Sequence, residues 1–495
     1  MSTAKKILGN TAIQIIGRVI IAVLSILTMR YITSLEAVPE FKGMPSDYRL
    51  IYAYLGFFGI VADFGLFTIG VREMSKTKTP EEQSFVMGNI YGMRLLTIVT
   101  LMAAASLVVF LIPFENYGFL VKDGVAIAAV TTVFTMLAST ASSVLQVHLK
   151  MTFPTIALVL GKIIMTAYII AVVLNFSKIP YAFFHLLFAG VVGTLITFIM
   201  TIFYTKRVFP FFTSFHFPYW KKVFKEALPY GAAVILSTVY FKLDVLLLSF
   251  FREKIEIAIY GYPSTLIELL SVFPLYFMNS VFPTLTKAFQ ESKEKVKKIA
   301  SLSFQFLVLM TLPLVTGGIL LSRQLIGISM HESFLTGNVP GYFGADFAFQ
   351  LLLISTLFSF LTTVFAYLLI ACGNQAKLLK INACGVVFNT VANLIFIPSY
   401  GFIAAGIISA ITSMVVLLMT FFESRKQVSI PFDMIFIMKI SLATLIMGVF
   451  VFFTKNIVPV VPLIGIAGMV FLLCVLVLRI VPREAFNLAK QDSEM

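Results

Sequence analysis

Long apolar stretches alternate with short polar connections along almost the whole chain. A window of about twenty apolar residues is long enough to cross the hydrocarbon core of a bilayer as a helix. The pattern places such windows at 11–33, 48–70, 87–112, 124–147, 154–174, 181–203, 226–250, 257–285, 299–320, 346–371, 376–397, 402–422, 432–453 and 460–480. It therefore predicts an all-α polytopic membrane protein with 14 transmembrane helices.

Composition and charge agree with a membrane protein. The 495 residues are 59% hydrophobic and 12% charged, and the mean hydropathy of +0.98 excludes a soluble chain of this length. The net charge of +14 does not indicate a nucleic-acid partner, because the basic residues form no single patch. Most of them fall in connections on one side of the predicted helices, which the positive-inside rule assigns to the cytoplasm. This predicts a multi-pass protein of the inner or plasma membrane with both termini in the cytoplasm.

The connections and a weak internal repeat predict how the helices are grouped. The motif IYAY opens the second window at 51–54, and IYGY opens the eighth at 259–262. We therefore expect an N-lobe of six helices at 1–204 and a C-lobe of six at 226–422, as parallel repeats around a central cavity. Residues 205–225, rich in aromatics and prolines, are expected to form a cytoplasmic interfacial linker and hinge, and 423–495 two further helices and a cytoplasmic tail.

Basic residues inside the predicted helices are the main candidates for substrate binding: Arg18, Arg30, Arg94, Lys162, Lys242 and Lys439. A charge at that depth costs about 2.5 to 3.5 kcal/mol on insertion scales, so it should face protein or a water-filled cavity. We expect Arg18, Lys162 and Lys242 to line the cavity, although Arg18 could instead snorkel to the membrane surface. Arg94 and Lys439 lie near helix ends, where snorkelling is favoured.

Three acidic residues are candidates for the cavity or for ion coupling: Asp63, Asp244 and Glu268. Lys242 and Asp244 are two residues apart, about 200° around a helix, so they cannot point the same way. One should line the cavity while the other engages a neighbouring helix, and Lys242 is favoured for the cavity. For Asp63 a packed carboxylate and a functional one are equally open, and Glu268 could pair with Lys242 or titrate. Coupling to H⁺ or Na⁺ stays open.

The remaining polar residues are expected to have structural rather than functional roles. A stripe in window 124–147 and the asparagines of window 376–397 are expected to form hydrogen bonds between helices, with cavity lining as the alternative for the stripe. The stripe consists of Thr132, Thr135, Ser139, Ser142 and Gln146, and the asparagines are Asn382, Asn389 and Asn393. Glu36, Glu40 and Asp47 are the acidic cluster of an outer loop, which we interpret as solvated.

Three stretches carry a resemblance to a known family: YAYLGFFGIVADFGLFTIGVREMSK from Tyr52 to Lys76, ALPYGAAVILSTVYFKLDVLLLS, and IAIYGY followed by FPTLTKAF. They resemble the Wzx-type oligosaccharide-lipid flippases, the polysaccharide transporter family of the multidrug/oligosaccharidyl-lipid/polysaccharide exporter superfamily. The resemblance implies two six-helix lobes around a central cavity, plus two C-terminal helices. Arg18, Lys242 and Asp244 match positions at which that family often carries charge.

The same resemblance implies a function. Flippases of this kind move undecaprenyl-pyrophosphate-linked oligosaccharide from the cytoplasmic to the outer leaflet for cell-surface polysaccharide assembly. The expected partners are this lipid-linked substrate, membrane lipids and polysaccharide polymerase or assembly proteins. We expect no enzyme activity, no catalytic residue, no metal and no cofactor.

Two other functions stay open. The first is a cation-coupled multidrug exporter of the same superfamily, which twelve helices and an acidic binding site would favour. A polytopic polyprenyl-dependent glycosyltransferase or polymerase would need acidic catalytic residues in a substantial outer loop or domain.

Overall fold

The computed structural model describes residues 3–63, 66, 70, 73–74, 77, 79–148, 150–428 and 433–480, with side chains other than those of 3–12, 15, 226–242, 283 and 290. These residues form helices and connections without a β-strand. The α-helices are α1 Thr3–Ser34, α2 Met44–Asp63, α3 Pro80–Val108, α4 Phe119–Val147, α5 Thr152–Leu174, α6 Ala182–Val208, α7 Phe217–Phe251, α8 Lys254–Glu291, α9 Lys293–Leu320, α10 Ser322–Ser329, α11 Ala345–Ala371, α12 Gln375–Arg425, α13 Met434–Thr454 and α14 Val460–Val477.

The all-α class of the prediction is confirmed. Each of the predicted apolar windows overlaps one of these helices. Within the described residues, 11 helices are long and apolar enough to cross a membrane. The number of fourteen spans therefore stays a prediction, and α12 explains part of the difference.

The helix α12 joins two predicted windows into one run of 51 residues, but its backbone breaks at Gly401. Gly401 has φ 58° and ψ −141°, a conformation that a side chain would strain, and Pro398 precedes it. The two halves then run back along each other. Lys377 Nζ lies 2.5 Å from Glu423 Oε1 although these residues are at opposite ends of the run. The predicted boundary between windows 376–397 and 402–422 is therefore a real break in the helix.

Helix α7 begins at Phe217, nine residues before the predicted start at 226. Two features of a helix start are present: Pro218 in the first turn and a side-chain cap. The cap is His216 Nδ1, which accepts the backbone N–H of Tyr219 at 3.2 Å. Only residues 209–216 of the predicted linker at 205–225 are therefore non-helical.

The chain forms two compact units, of which the first comprises Met1–Gly261 and Ser329–Ser333. Glycines allow its helices to approach closely. A Cβ on Gly193 of α6 would lie 2.6 Å from the Gly161 carbonyl oxygen of α5, and Thr197 Oγ1 donates to the Ala157 carbonyl at 3.2 Å. The short segment Ser329–Ser333 belongs to this unit because His331 N–H donates to Thr33 Oγ1 at 2.9 Å.

The non-helical linker is seated on α3 within the first unit. The carbonyl oxygens of Phe212 and Ser214 lie so close to Gly88 and Gly92 that neither glycine has room for a side chain. Asn89 Oδ1 accepts the backbone N–H of His216 at 2.8 Å and Trp220 Nε1–H at 3.2 Å. The sequence predicted the interfacial character of this segment but not its fixed attachment to α3.

The second unit comprises Tyr262–Ile328 and Phe334–Met495. Its largest described apolar cluster packs α13 and α14 against α9, with Ile440, Met447, Leu463 and Phe471 all less than 8% exposed. The α11–α12 contact includes a buried hydrogen bond between Ser355 Oγ and Ser413 Oγ at 2.8 Å. The predicted domain boundaries stay predictions.

Candidate functional site

Arg18 and Lys162 lie on two helices of the first unit that pack together. Helix α1 contacts α5 closely at Gly17, where Thr155 leaves no room for a Cβ, and again where Thr28 Oγ1 bonds Thr166 Oγ1 at 3.0 Å. Lys162 is seven residues after Thr155 and four before Thr166, so it shares the α1-facing stripe of α5. Arg18 is exposed and Lys162 is partly buried. The structure thus brings two of the predicted cations onto adjoining helices.

Lys162 is set apart by its lack of partners. Among the residues that the structure describes, its ammonium group forms neither an ion pair nor a hydrogen bond. Helix α5 contains no carboxylate. A partly buried cation in so apolar a helix is expected to contact water or an anion that the described residues do not provide.

Asp63 forms an ion pair with Arg94. Arg94 Nη2 lies 2.6 Å from Asp63 Oδ1, and the same guanidinium donates to the Ala62 carbonyl and to Thr140 Oγ1, each at 2.8 Å. The Arg94 side chain has no exposed surface, whereas that of Asp63 is 31% exposed. The snorkelling interpretation of Arg94 is therefore wrong. Arg94 joins α2, α3 and α4, and its charge is compensated inside the protein.

Asp244 is buried at 2% exposure in α7 and accepts a hydrogen bond from the Tyr260 hydroxyl of α8 at 2.7 Å. This contact agrees with the expectation that one member of the Lys242 and Asp244 pair engages a neighbouring helix. The side chain of Lys242 lies outside the described residues. Its orientation toward a cavity stays a prediction.

Glu268 belongs to the second unit and is exposed on α8. At about 100° per residue, the exposed side chains of this part of α8 cover about half of the helix circumference. Most of them are polar or amphipathic: Glu268, Tyr276, Asn279, Ser280, Thr284 and Lys287. The Tyr367 hydroxyl of α11 donates to Asn279 Oδ1 at 2.6 Å on this face. Such a face is unsuited to lipid and suited to water.

The polar stripe of α4 does not form the predicted bonds between helices. Thr135 Oγ1 donates to the Thr131 carbonyl at 2.8 Å, and Ser142 Oγ also donates to a carbonyl of α4 itself. Side-chain bonds from α4 to other helices come instead from residues outside the stripe, such as Thr140, which accepts Arg94 Nε–H, and Ser143, which donates to Met87 Sδ. The stripe remains partly accessible, which agrees better with cavity lining. Of the asparagines of α12, Asn389 behaves as expected, since its Nδ2 donates to Thr412 Oγ1 at 3.4 Å across the two halves, whereas Asn393 Nδ2 donates to Asn389 Oδ1 on the same half.

The outer acidic cluster is not a solvated loop. Glu36 is 8% exposed and its Oε2 accepts the Gly43 N–H at 3.0 Å, while Asp47 is 3% exposed and lies 2.7 Å from Lys254 Nζ. Glu40 alone of the three is exposed. The sequence missed this because the partner of Asp47 lies on α8, about two hundred positions along the chain.

The packing of the outer ends continues through α7 and α8. Arg252 Nε lies 2.6 Å from Glu256 Oε1, and Glu256 is 1% exposed. The Arg49 side chain packs so closely on Gly261 that a Cβ there would lie 2.7 Å from Arg49 Cγ. These contacts hold together, within the first unit, the ends of α2, α7 and α8 that the sequence predicts to lie on the outer side. In the described part of the chain, no group of His, Cys, Asp and Glu is arranged to hold a metal ion.

Comparison with known proteins identifies the family. Residues 4–289, more than half of the chain, match the family described as "Polysaccharide biosynthesis protein". The chain belongs to this family. The resemblance to polysaccharide transporters found in the sequence is thereby confirmed. No curated protein matches the sequence of this member significantly.

Solved structures show the fold of this family member. It is similar to the protein described as "Lipid II flippase MurJ, inward closed conformation", with a TM-score of 0.73, 16% identity, and coverage of 95% of this chain and 98% of that one. A MOP superfamily transporter from Pyrococcus furiosus matches with a TM-score of 0.57, 12% identity, and 86% and 96% coverage. The Vibrio cholerae MATE transporter VcmN matches with a TM-score of 0.54 and 13% identity, and the match covers 86% of this chain and 96% of that one. The chain therefore has the multi-pass membrane fold of these transporters.

Proposed function

We propose that this protein is a flippase that moves polyprenyl-(pyro)phosphate-linked oligosaccharide from the cytoplasmic to the outer leaflet by alternating access. Membership of a polysaccharide biosynthesis family and the fold likeness to a lipid II flippase support this proposal. The substrate has an anionic headgroup, a polar glycan and a tail that stays in lipid. Moving it requires polar and cationic surface inside the membrane rather than catalytic groups.

The proposal rests mainly on the environment of Lys162. This lysine is a partly buried cation on the α1-facing stripe of an apolar helix, without an ion pair or hydrogen bond among the described residues. From residue 124 to residue 225 the sequence contains no Asp or Glu. A cation that lacks a carboxylate partner can form charge-assisted hydrogen bonds to phosphate when substrate enters. Arg18, exposed on the adjoining helix, and Lys242 are the other cations proposed for substrate.

Reconstitution tests the proposal directly. Proteoliposomes would contain a polyprenyl-pyrophosphate oligosaccharide with a fluorescent glycan, and a membrane-impermeant quencher would report the fraction in each leaflet. We expect transfer between leaflets by the wild type and slower transfer by Lys162→Gln. The control is Lys439→Gln, which removes a cation at the predicted cytoplasmic end of α13. Absence of transfer by the wild type, with and without H⁺ or Na⁺ gradients, would overturn the proposal.

The alternative function is a cation-coupled multidrug exporter, and the structural similarity to MATE transporters supports it. Such a transporter needs an acidic group for its cationic substrate. In the first unit the carboxylate of Asp63 is already engaged by Arg94, which argues against a cation site there. Glu268 in the second unit is exposed and would be the acid to test. Transport of a lipophilic cation such as tetraphenylphosphonium, lost in Glu268→Gln, would favour the exporter.

A polyprenyl-dependent glycosyltransferase or polymerase receives no support from the outer acidic residues. Glu36 and Asp47 are buried and bonded to the protein itself, so they are not available as catalytic acids. Sugar transfer by the purified protein from an activated polyprenyl donor would reverse this conclusion.

A further inference from the structure

Basic residues are numerous at the end that the positive-inside rule assigns to the cytoplasm. In the second unit, four lysines at this end form ion pairs with carboxylates of the same unit. The ion pairs are Lys295 with Glu291 at 2.6 Å, Lys297 with Glu294 at 2.7 Å, and Lys377 and Lys426 with Glu423 at 2.5 and 2.7 Å. The excess of positive charge there is therefore smaller than the number of lysines suggests.

The same end of the first unit has cations without such partners. The α4–α5 connection is joined to the end of α6 by two ring stackings, His148 on Phe209 and Phe153 on Tyr204, with centroids 5.8 and 4.6 Å apart. Six exposed cations lie on these connections and on the start of α7: Lys150, Lys206, Arg207, Lys221, Lys222 and Lys225. None of their side chains forms an ion pair or hydrogen bond in the part of the chain that the structure describes.

The sequence that supplies these charges is poor in acidic residues, and the side chain of Glu226, which directly follows it, lies outside the described residues. The segment from 124 to 225, which supplies all six cations, contains no Asp or Glu. Glu81, in the first turn of α3, is paired with none of the six among the described residues. The positive-inside rule accounts for cations at this end, but it does not specify what binds the exposed ones.

An apolar groove leads to two of these cations. It is an open, shallow groove between side chains of a single helix, the last turns of α6, and is lined by Phe198, Ile199, Ile202, Phe203, Lys206 and Arg207. Ile199 and Phe203 are one helical turn apart and are 55% and 59% exposed, so they form its open apolar surface. The two cations close it at the C-terminal end of the helix. A phospholipid presents the same sequence of groups, namely an apolar acyl chain, then glycerol, then an anionic phosphate.

We propose that this groove binds an anionic phospholipid of the cytoplasmic leaflet, with its phosphate at Lys206 and Arg207 and an acyl chain along Ile199 and Phe203. A phospholipid is favoured because the surrounding surface also suits a leaflet. Phe212 and Phe217 on the linker and the start of α7 are 81% and 64% exposed, and exposed aromatics beside cations are typical of segments at the membrane interface. The proposal does not depend on the transported substrate.

Native mass spectrometry of the full chain tests this inference. Protein in detergent would be titrated with phosphatidylglycerol or phosphatidylcholine, and the bound copies of each lipid counted. We expect the wild type to retain phosphatidylglycerol in preference to phosphatidylcholine. Lys206→Gln combined with Arg207→Gln should lower the apparent affinity for phosphatidylglycerol about tenfold or more, because each cation near an anionic headgroup contributes to binding.

The matched control removes two cations that already have carboxylate partners. Lys377→Gln combined with Lys426→Gln makes the same formal change of charge, and it should leave phosphatidylglycerol retention unchanged. Thermal unfolding of each variant checks that it is folded. Equal retention of the two lipids by the wild type, or unchanged retention after loss of Lys206 and Arg207, would overturn the proposal. Displacement of phosphatidylglycerol from the wild type alone by equimolar polyprenyl phosphate would also overturn it, since the occupant would then be the carrier lipid.

Discussion

At the scale of single residues, the sequence predicts which charges need an explanation but not how each is resolved. Arg94 is the clearest example. Its position near a helix end favoured snorkelling, yet the folded chain surrounds it with Asp63, the Ala62 carbonyl and Thr140. All three lie on other helices. Because helix pairing is not encoded in the apolar pattern, the sequence could not distinguish a surface anchor from a buried ion pair.

Replacing Arg94 should destabilise the protein. Arg94→Met leaves the Asp63 carboxylate without its cation and two other acceptors without donors. Removing one partner of a fully buried pair costs about 3 to 5 kcal/mol. Since Asp63 is 31% exposed and can be rehydrated, we expect the free energy of unfolding to fall by about 2 kcal/mol. Thermal unfolding in detergent measures this loss of stability, with Lys439→Met as the control. Equal midpoints for wild type and Arg94→Met would contradict the role of the ion pair.

Lys242 carries the prediction that rests on the sequence alone. Helical phase separates it from Asp244 by about 200°, and Asp244 engages Tyr260 of α8. We therefore expect Lys242→Ala, at normal expression, to impair substrate transfer more than Lys439→Ala does. The leaflet-transfer assay in proteoliposomes compares the two. If both variants retain the same activity, Lys242 is not part of the substrate site.

His331 predicts a dependence of stability on pH. Burial and the neighbouring charge of Arg30 lower the pKa of His331 below its ordinary value of 6.5, against the opposing effect of Glu332. The unfolded chain therefore binds a proton more readily, and stability that is present above about pH 6.5 is lost as the pH falls. We expect the unfolding midpoint to fall further between pH 7.5 and 5.5 in the wild type than in His331→Gln. Identical losses would exclude this histidine as a contributor.

At the scale of elements, the linker between α6 and α7 shows what the apolar pattern leaves out. Its aromatic and basic composition predicted an interfacial segment. Its attachment depends on a short signal in another helix, namely Gly88, Asn89 and Gly92 of α3. Glycines four residues apart leave a bare strip of backbone, and the carbonyls of Phe212 and Ser214 occupy it. In the sequence that spacing is indistinguishable from an ordinary helix contact.

The seat on α3 can be tested through the protein's only tryptophan. Trp220 is 8% exposed and donates to Asn89, so its fluorescence reports the attachment of the linker. In Gly88→Ala the added Cβ would collide with the Phe212 carbonyl, which is backbone and cannot rotate away. We expect a red shift of the emission and a lower unfolding midpoint. Gly468→Ala is the matched control, since no atom lies near its added Cβ. An emission spectrum unchanged in Gly88→Ala would contradict the tight seat.

At the scale of the whole molecule, hydropathy predicted where helices lie and that the protein crosses the membrane many times. It did not predict the long-range polar contacts at the ends predicted to lie outside. Asp47 was assigned to a solvated outer loop, whereas it forms an ion pair with Lys254 and is almost fully buried. Apolar periodicity indicates burial in lipid or protein. It contains no information about which polar connections contact each other in the folded chain.

The number of membrane crossings is the last whole-molecule prediction, and it depends in part on α12. A straight helix of 51 residues would be about 76 Å long, more than twice the roughly 30 Å hydrocarbon core. The break at Gly401 and the Lys377–Glu423 ion pair instead support two crossings, and the topology predicted from the sequence places the turn on the outer side.

Cysteine accessibility measures this topology. In a chain whose three native cysteines are replaced, Ser399→Cys should react with a membrane-impermeant maleimide in intact cells, as should the outer reporter Lys178→Cys. Lys293→Cys, in a predicted cytoplasmic connection, should react only after permeabilisation. All three positions are exposed in the structure, so differences in labelling report the side of the membrane rather than burial in protein. Labelling of Ser399→Cys only after permeabilisation would mean that α12 does not reach the outer side at its break, and the prediction of fourteen crossings would fail.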